Sequence, residues 1–95
     1  MKAFVYILTN RTNNVLYIGV TNNLARRIYE HQTKMLPGFT EKYHLEKLVL
    51  AETYNNIVDA IRREKQLKAW RRSWKRDLIT SQNPHWEDLS KNVLY

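Results

Sequence analysis

Tyr6, Tyr17, Arg27, His31 and Glu64 stand where packing alone would favour simpler residues. Arg27 and His31 are four apart, so on a helix they share a face. On a wheel turning about 100° per residue, Leu24, Ile28 and Met35 fall in a narrow arc, with His31 beside them and Arg27 at the arc's edge. His31 is then either a satisfied, partly buried histidine or a group that acts on a substrate. Arg27 is either a border arginine whose stem packs while its head reaches water, or a guanidinium aimed at an anion. Its neighbour Arg26 cannot share that face and is the better candidate for plain solvent.

Glu64 poses a sharper choice. Ile57, Ala60, Ile61 and Leu67 form the apolar stripe of a second helical segment, and Glu64 sits close to its middle. A carboxylate facing a core is costly unless it is paired or bound to a cation. Lys68, four residues on, offers an i,i+4 partner. A metal at the floor of a cleft is the other reading, because Mg²⁺ accepts one carboxylate and keeps much of its water shell. Tyr6 and Tyr17 each read, taken singly, as core aromatics with a hydrogen-bonded hydroxyl. Gly19 shares the sheet face of Tyr17, and a glycine inside a strand lets a ligand or another backbone approach closely.

These residues need elements to hold them. "AFVYILT" (Ala3–Thr9) is rich in β-branched and aromatic residues and reads as a buried strand. "NRTNN" is turn chemistry, and "VLYIGV" (Val15–Val20) is a second strand, so the pair forms an antiparallel hairpin. Thr21, Asn22 or Asn23 caps a helix that runs to about Lys34, where "LPGF" stops it. "EKLVLAETY" (Glu46–Tyr54) is a third strand. Asn55 or Asn56 caps a long helix to about Trp70, and Ser73 caps a shorter one to about Ser81, broken by "NPHW". The expected class is α+β: a small three-stranded, mainly antiparallel sheet flanked by helices in the order β-β-α-β-α-α. Residues 1–95 read as one domain, with a core over about 2–82 and a packed tail over 83–95 anchored by Trp86 and Leu89.

Composition narrows the class. Ninety-five residues suit a single core, and 43% hydrophobic with 12% aromatic content argues for a folded chain. There are no cysteines, so disulfides and thiolate metal sites are excluded. No apolar run reaches the length of a membrane span and no secretory leader is evident, so no membrane partner and a cytoplasmic location are expected. The net charge is +7, and Ile61–Arg76 alone holds eight lysines and arginines against one glutamate. A basic block interleaved with Trp70 and Trp74 suits a polyanion, although a solvated helix surface would look similar.

The ordered set of "VY" (Val5–Tyr6), "YIG" (Tyr17–Gly19), an arginine and a histidine on the next helix and a glutamate on a later helix resembles the GIY-YIG nuclease domain. The stretches "YIGVTNNLARRIYEH", "FTEKYHLEKLVLAE", "REKQLKAWRR" and "NPHWEDL" are similar to its small stand-alone bacterial type, related to the modules of Slx-type endonucleases. The resemblance spans about Lys2 to about Leu89. It implies catalytic roles for Tyr6, Tyr17, Arg27, His31 and Glu64, with Glu64 holding a single Mg²⁺ or Mn²⁺. It matches Gly19 to the glycine of the second half-motif and Asn83, more loosely, to a functional or structural asparagine. Tyr43 lies in the "KY" stretch of that type with its role open. Two positions depart from the pattern. "FVY" lacks the glycine of the first half-motif, and Val20 stands where the bacterial excision-repair nuclease module carries a lysine that assists the nucleophile.

The function so implied is metal-dependent hydrolysis of DNA phosphodiester bonds, structure-specific or repair-related, with branched or damaged DNA as substrate and a protein partner supplying specificity. In that reading Arg27 contacts the scissile phosphate opposite the metal and Tyr17 positions or deprotonates the attacking water. An ordinary tyrosine titrates at about 10, so a base role needs a lowered value or a proton relay, for which Tyr6 and His31 are at hand. Gly19, Tyr43, Arg62, Arg63, Lys68, Arg71, Arg72 and Asn83 are the expected substrate-binding residues. Two other classes compete: a non-catalytic or partner-dependent nucleic-acid-binding module, and a protein-interaction domain using Trp70, Trp74 or Trp86.

Overall fold

The computed structural model describes residues 2–33, 38 and 42–94. The expected positions Lys34, Met35 and the "LPGF" stop, apart from Gly38, lie outside them. Strand β1 (Ala3–Thr9) is central, flanked by β2 (Leu16–Thr21) and β3 (Lys47–Tyr54) in the order β2-β1-β3, both pairings antiparallel. Between the strands and after them come α1 (Leu24–Gln32), α2 (Ile57–Ala69), α3 (Arg72–Gln82) and a one-turn α4 (Lys91–Leu94). The fold is α+β in the order β-β-α-β-α-α, as the sequence implies, with α4 as an addition within the tail.

Local chemistry explains most boundaries. Asn10 Oδ1 accepts the backbone N–H groups of Asn14 and Val15, and Asn13 takes a positive φ of 60°, which closes the hairpin. Asn23 caps α1 by accepting from the Arg26 N–H. Asn56 caps α2 by accepting from Asp59 N–H at 2.9 Å, and its amide returns a bond to Asp59 Oδ2 at 3.0 Å. Strand β2 begins one residue later than expected, at Leu16. Helix α3 corrects a second expectation: its N-cap is Arg71, without a side-chain cap bond, and Ser73 lies inside the first turn. The chain leaves α2 at Trp70 in extended geometry and re-enters a helix at once, so no room remains for Ser73 to cap.

The sheet separates two cores. Val5, Ile7, Ile18 and Val49 pack with Ala60, Leu67 and Ile79 of α2 and α3. On the other face Tyr6 and Leu8 pack with Leu24 and Ile28 of α1, and with Leu45 and Leu48. The expected apolar stripe of α2 is corrected here. Ala60 and Leu67 are buried, but Ile57 and Ile61 are 42% and 37% exposed, so Glu64 borders the core instead of sitting in its midst. Only one line of α2 meets the sheet, and Ile57 and Ile61 lie off it.

A register shift at Ile7/Leu8 leaves Val49 of β3 as the extra residue. Asn83 repairs the gap: its amide donates to Val49 O at 3.2 Å and to Glu87 O at 2.9 Å, and its Oδ1 accepts from Glu87 N–H at 3.0 Å. The segment after α3 then covers the outer edge of β3, where Leu89 N–H donates to Leu48 O at 2.7 Å and Asp88 Oδ1 accepts from Leu48 N–H at 3.1 Å.

Candidate active site

Tyr6 and Gly19 are direct cross-strand partners in the β1–β2 ladder. A Cβ built on Gly19 would lie 2.4 Å from both Cζ and the hydroxyl oxygen of Tyr6. The space left by Gly19 is therefore filled by the Tyr6 ring, which lets that ring lie flat enough for its hydroxyl to reach α1. There it stands 3.2 Å from Nε2 of His31. Tyr17 completes a triangle of rings, its centroid 6.3 Å from that of Tyr6 and 5.7 Å from that of His31. Tyr6–His31 closes it at 5.8 Å with an edge-on geometry.

Burial tunes these groups. Tyr6 is fully buried, and loss of solvent, reinforced by Tyr17, pushes its hydroxyl well above the ordinary tyrosine range. Arg27 is close enough to oppose that shift, and Glu64 close enough to add to it. Tyr6 thus holds its proton throughout the usable pH range. His31 is held below its ordinary value, by burial first and Arg27 second, with Glu30 opposing. Its Nδ1 is buried and is the one such side-chain atom without a hydrogen-bond partner among the described residues.

Arg27 and Glu64 flank the triangle from different elements. Arg27 projects from α1 on the Tyr6 side of the sheet, with its side chain 37% exposed. Its Nε is 3.6 Å from Glu30, whose other oxygen lies 3.9 Å from Arg26 Nε. Thr21, Asn22, Asn23, Arg26, Arg27 and Glu30 enclose an open cavity of about 270 Å³. Arg26 is mostly in solvent, as expected, yet it walls that cavity. Glu30 is the residue that sequence reasoning passed over, although its spacing of three from Arg27 and four from Arg26 was there to be read. Glu64 comes from α2, which packs on the opposite face against β1 and β2. It pairs with Lys68 at 3.6 Å, the i,i+4 partner that its spacing allowed.

The remaining expected residues are dispersed. Arg63 makes a two-pronged pair with Glu52 at 3.0 and 3.2 Å, donates to Gln66 and lies over the Trp70 ring. The Glu52 carboxylate holds its guanidinium above the ordinary arginine value. Arg62 pairs with Asp59 at 3.6 Å on an exposed surface. Arg72 donates to Asn14 O and Arg76 to Asn13 O, so both clamp the hairpin turn. Arg71 lies over Trp74, and Tyr43 is an exposed ring beneath Lys42. The amide of Asn83 is occupied by the fold contacts described above.

A triangle of two strand tyrosines and a helix histidine, with a glycine opposite one tyrosine and an arginine and a glutamate at its flanks, is the arrangement that the motif order leads one to expect. The family model described as the GIY-YIG catalytic domain matches residues 2–77. The chain belongs to the GIY-YIG family. Curated relatives of this GIY-YIG domain include a UPF0213 protein of Clostridium perfringens, 34% identical over 90 residues and covering 95% of this chain and 96% of the relative. A UPF0213 protein of Syntrophus aciditrophicus is 36% identical over 84 residues, covering 87% and 94%. Among solved structures, the solution structure of a UPF0213 protein of Bacillus halodurans superposes with a TM-score of 0.60 at 26% identity, covering 96% of each chain. No helix among the described residues of the GIY-YIG domain is long and apolar enough to cross a membrane.

Proposed function

We propose that this GIY-YIG domain is a divalent-metal-dependent endonuclease that hydrolyses phosphodiester bonds in DNA. The observation that carries the reading is the convergence on Tyr6. A histidine within hydrogen-bond reach, a second tyrosine, an arginine and a glutamate all act on it from three other elements.

The donor set suits the metal. No three of His, Cys, Asp and Glu gather at one place among the described residues, so a closed protein cage is not what these side chains build. Glu64 supplies one hard carboxylate at the core border, with water and phosphate oxygens left to complete the shell of Mg²⁺ or Mn²⁺. When bound there, such an ion neutralises charge on the phosphate and on the departing oxygen. Arg27 takes the opposite side of the phosphate with its guanidinium fork. Tyr17 orients the attacking water. As the water oxygen bonds to phosphorus and the bond to the 3′ oxygen breaks, the water's proton passes by way of the Tyr17 hydroxyl to solvent, and the leaving oxygen takes a proton from solvent. Tyr6 keeps its own proton and holds the imidazole. In this reading its hydroxyl donates to Nε2, which leaves the imidazole proton on Nδ1. Arg62, Lys68 and Arg71 hold flanking phosphates, whereas Arg63 and Arg72 act through the fold.

The test is cleavage of labelled duplex, single-stranded and branched DNA, with and without Mg²⁺ or Mn²⁺, beside Glu64→Gln. Metal-dependent cleavage that disappears in the variant supports the reading, and cleavage that survives the variant removes the metal assignment. One observation favours a partner-dependent binding module as the second reading: Glu64 and Arg27 are each already paired, with Lys68 and Glu30, at 3.6 Å. Salt-sensitive binding without turnover on every substrate would favour it.

A further inference from the structure

The elbow between α2 and α3 carries a train of stacked groups of which the hydrolytic reading uses only Arg71, as a contact to a flanking phosphate. Glu52 pins Arg63, whose guanidinium carbon lies 5.0 Å from the Trp70 ring centroid. Trp70 is half-buried against the core and meets Trp74 edge-on, with centroids 6.1 Å apart and planes at 84°. Trp74 is 49% exposed, and Arg71 lies 5.4 Å from its centroid. A single exposed aromatic needs no explanation. This one is held in place by a fixed neighbour, accompanied by Arg71, and set inside the block that holds the excess positive charge of the chain.

From these contacts we infer that Trp74 and Arg71 form a stacking platform for an unpaired nucleotide, so that the substrate carries a single-stranded segment. The inference rests on the nuclease reading and specifies its substrate class. Duplex DNA hides the faces of its bases and presents phosphates, for which an indole is no use. An unpaired base offers a π-face to Trp74 while its phosphate meets Arg71.

The experiment measures binding in chelator, where no cleavage occurs, so its outcome is independent of whether the domain turns over. A homopolymeric single-stranded oligonucleotide and a blunt duplex of equal length are titrated against the wild type, Trp74→Ala and Trp74→Phe. The expected result is quenching of indole fluorescence by the single strand. Trp74→Ala should lose about ten-fold in single-strand affinity while keeping its duplex affinity, and Trp74→Phe should retain most of the binding. Equal affinities of wild type and Trp74→Ala for the single strand would overturn the platform, as would an equal loss on both DNAs. Unchanged thermal unfolding of Trp74→Phe checks that the comparison is made on folded protein. A failed cleavage assay with this pattern intact would count against the nuclease reading alone.

Discussion

The Tyr6 hydroxyl lies 3.2 Å from Nε2 of His31, and both side chains are buried between β1 and α1. A buried acceptor that loses its donor keeps the cost of desolvation without the bond. Tyr6→Phe should therefore destabilise the fold by about 1–3 kcal/mol in urea unfolding. It should also remove cleavage, because His31 is no longer held in one tautomer. Full activity in Tyr6→Phe would show that the imidazole needs no such support.

Gly19→Ala tests the same contact from the opposite strand. A methyl group there would sit 2.4 Å from the end of the Tyr6 ring, and that ring is fully buried with nowhere to swing. The alanine gains a little from a stiffer unfolded chain, about 0.5–1 kcal/mol, but overpacking a core costs about 1–3 kcal/mol. Net destabilisation is expected in calorimetry, together with loss of activity. A more stable Gly19→Ala protein would contradict the packing described.

His31 links stability to pH. Its folded value lies below the ordinary 6.5, and the groups facing it are Tyr6 from β1, Tyr17 from β2, and Arg27 and Glu30 from α1. As pH falls through 6.5 the unfolded chain takes up a proton that the folded chain resists, so folding weakens. The contribution is intact above that value, declines below it, and stops changing once the folded imidazole is itself protonated. Melting temperatures measured from about pH 7 to about pH 5.5 should fall more steeply for the wild type than for His31→Gln. Parallel slopes would mean that His31 titrates alike in both states.

Glu30 binds Arg26 and Arg27 at once, so an incoming phosphate must compete with it. Exposed pairs of this kind are worth about 0–1 kcal/mol, which sets the scale. Glu30→Gln should tighten DNA binding by up to about five-fold at low salt and leave the fold intact. Weaker binding would instead make Glu30 a support that orients Arg27.

The basic window should divide by substitution. Arg63→Ala breaks a two-pronged pair with Glu52 and uncovers Trp70, so its main effect should be on stability, measured by denaturant unfolding. Arg62→Ala and Arg71→Ala should leave stability nearly unchanged, weaken DNA binding and each lower the slope of log affinity against log salt by about one. Salt slopes equal to wild type in both would remove them from the phosphate track.

The elements and their caps are legible in the chain because they are written in short-range chemistry. Val5, Ile7, Ile18 and Val49 carry strand character, Asn23 and Asn56 stand one residue before their helices, and Arg27 and His31 share a face by spacing alone. The approach of Arg27, His31, Tyr6 and Tyr17 was suggested by motif order, yet their distances come only with the fold. Tertiary structure decided what no window of sequence holds. Gly19 makes room for Tyr6 because antiparallel register sets the two opposite each other. Asn83 donates to the carbonyl of Val49, 34 positions away, at the point where edge strand β3 carries its bulge. Arg72 and Arg76 are indistinguishable from phosphate-binding arginines in the sequence, but they end on carbonyls of the hairpin turn 58 and 63 positions earlier. A side chain's charge and local periodicity are properties of its neighbourhood in the chain, whereas its partner depends on which distant backbone groups packing leaves unsatisfied.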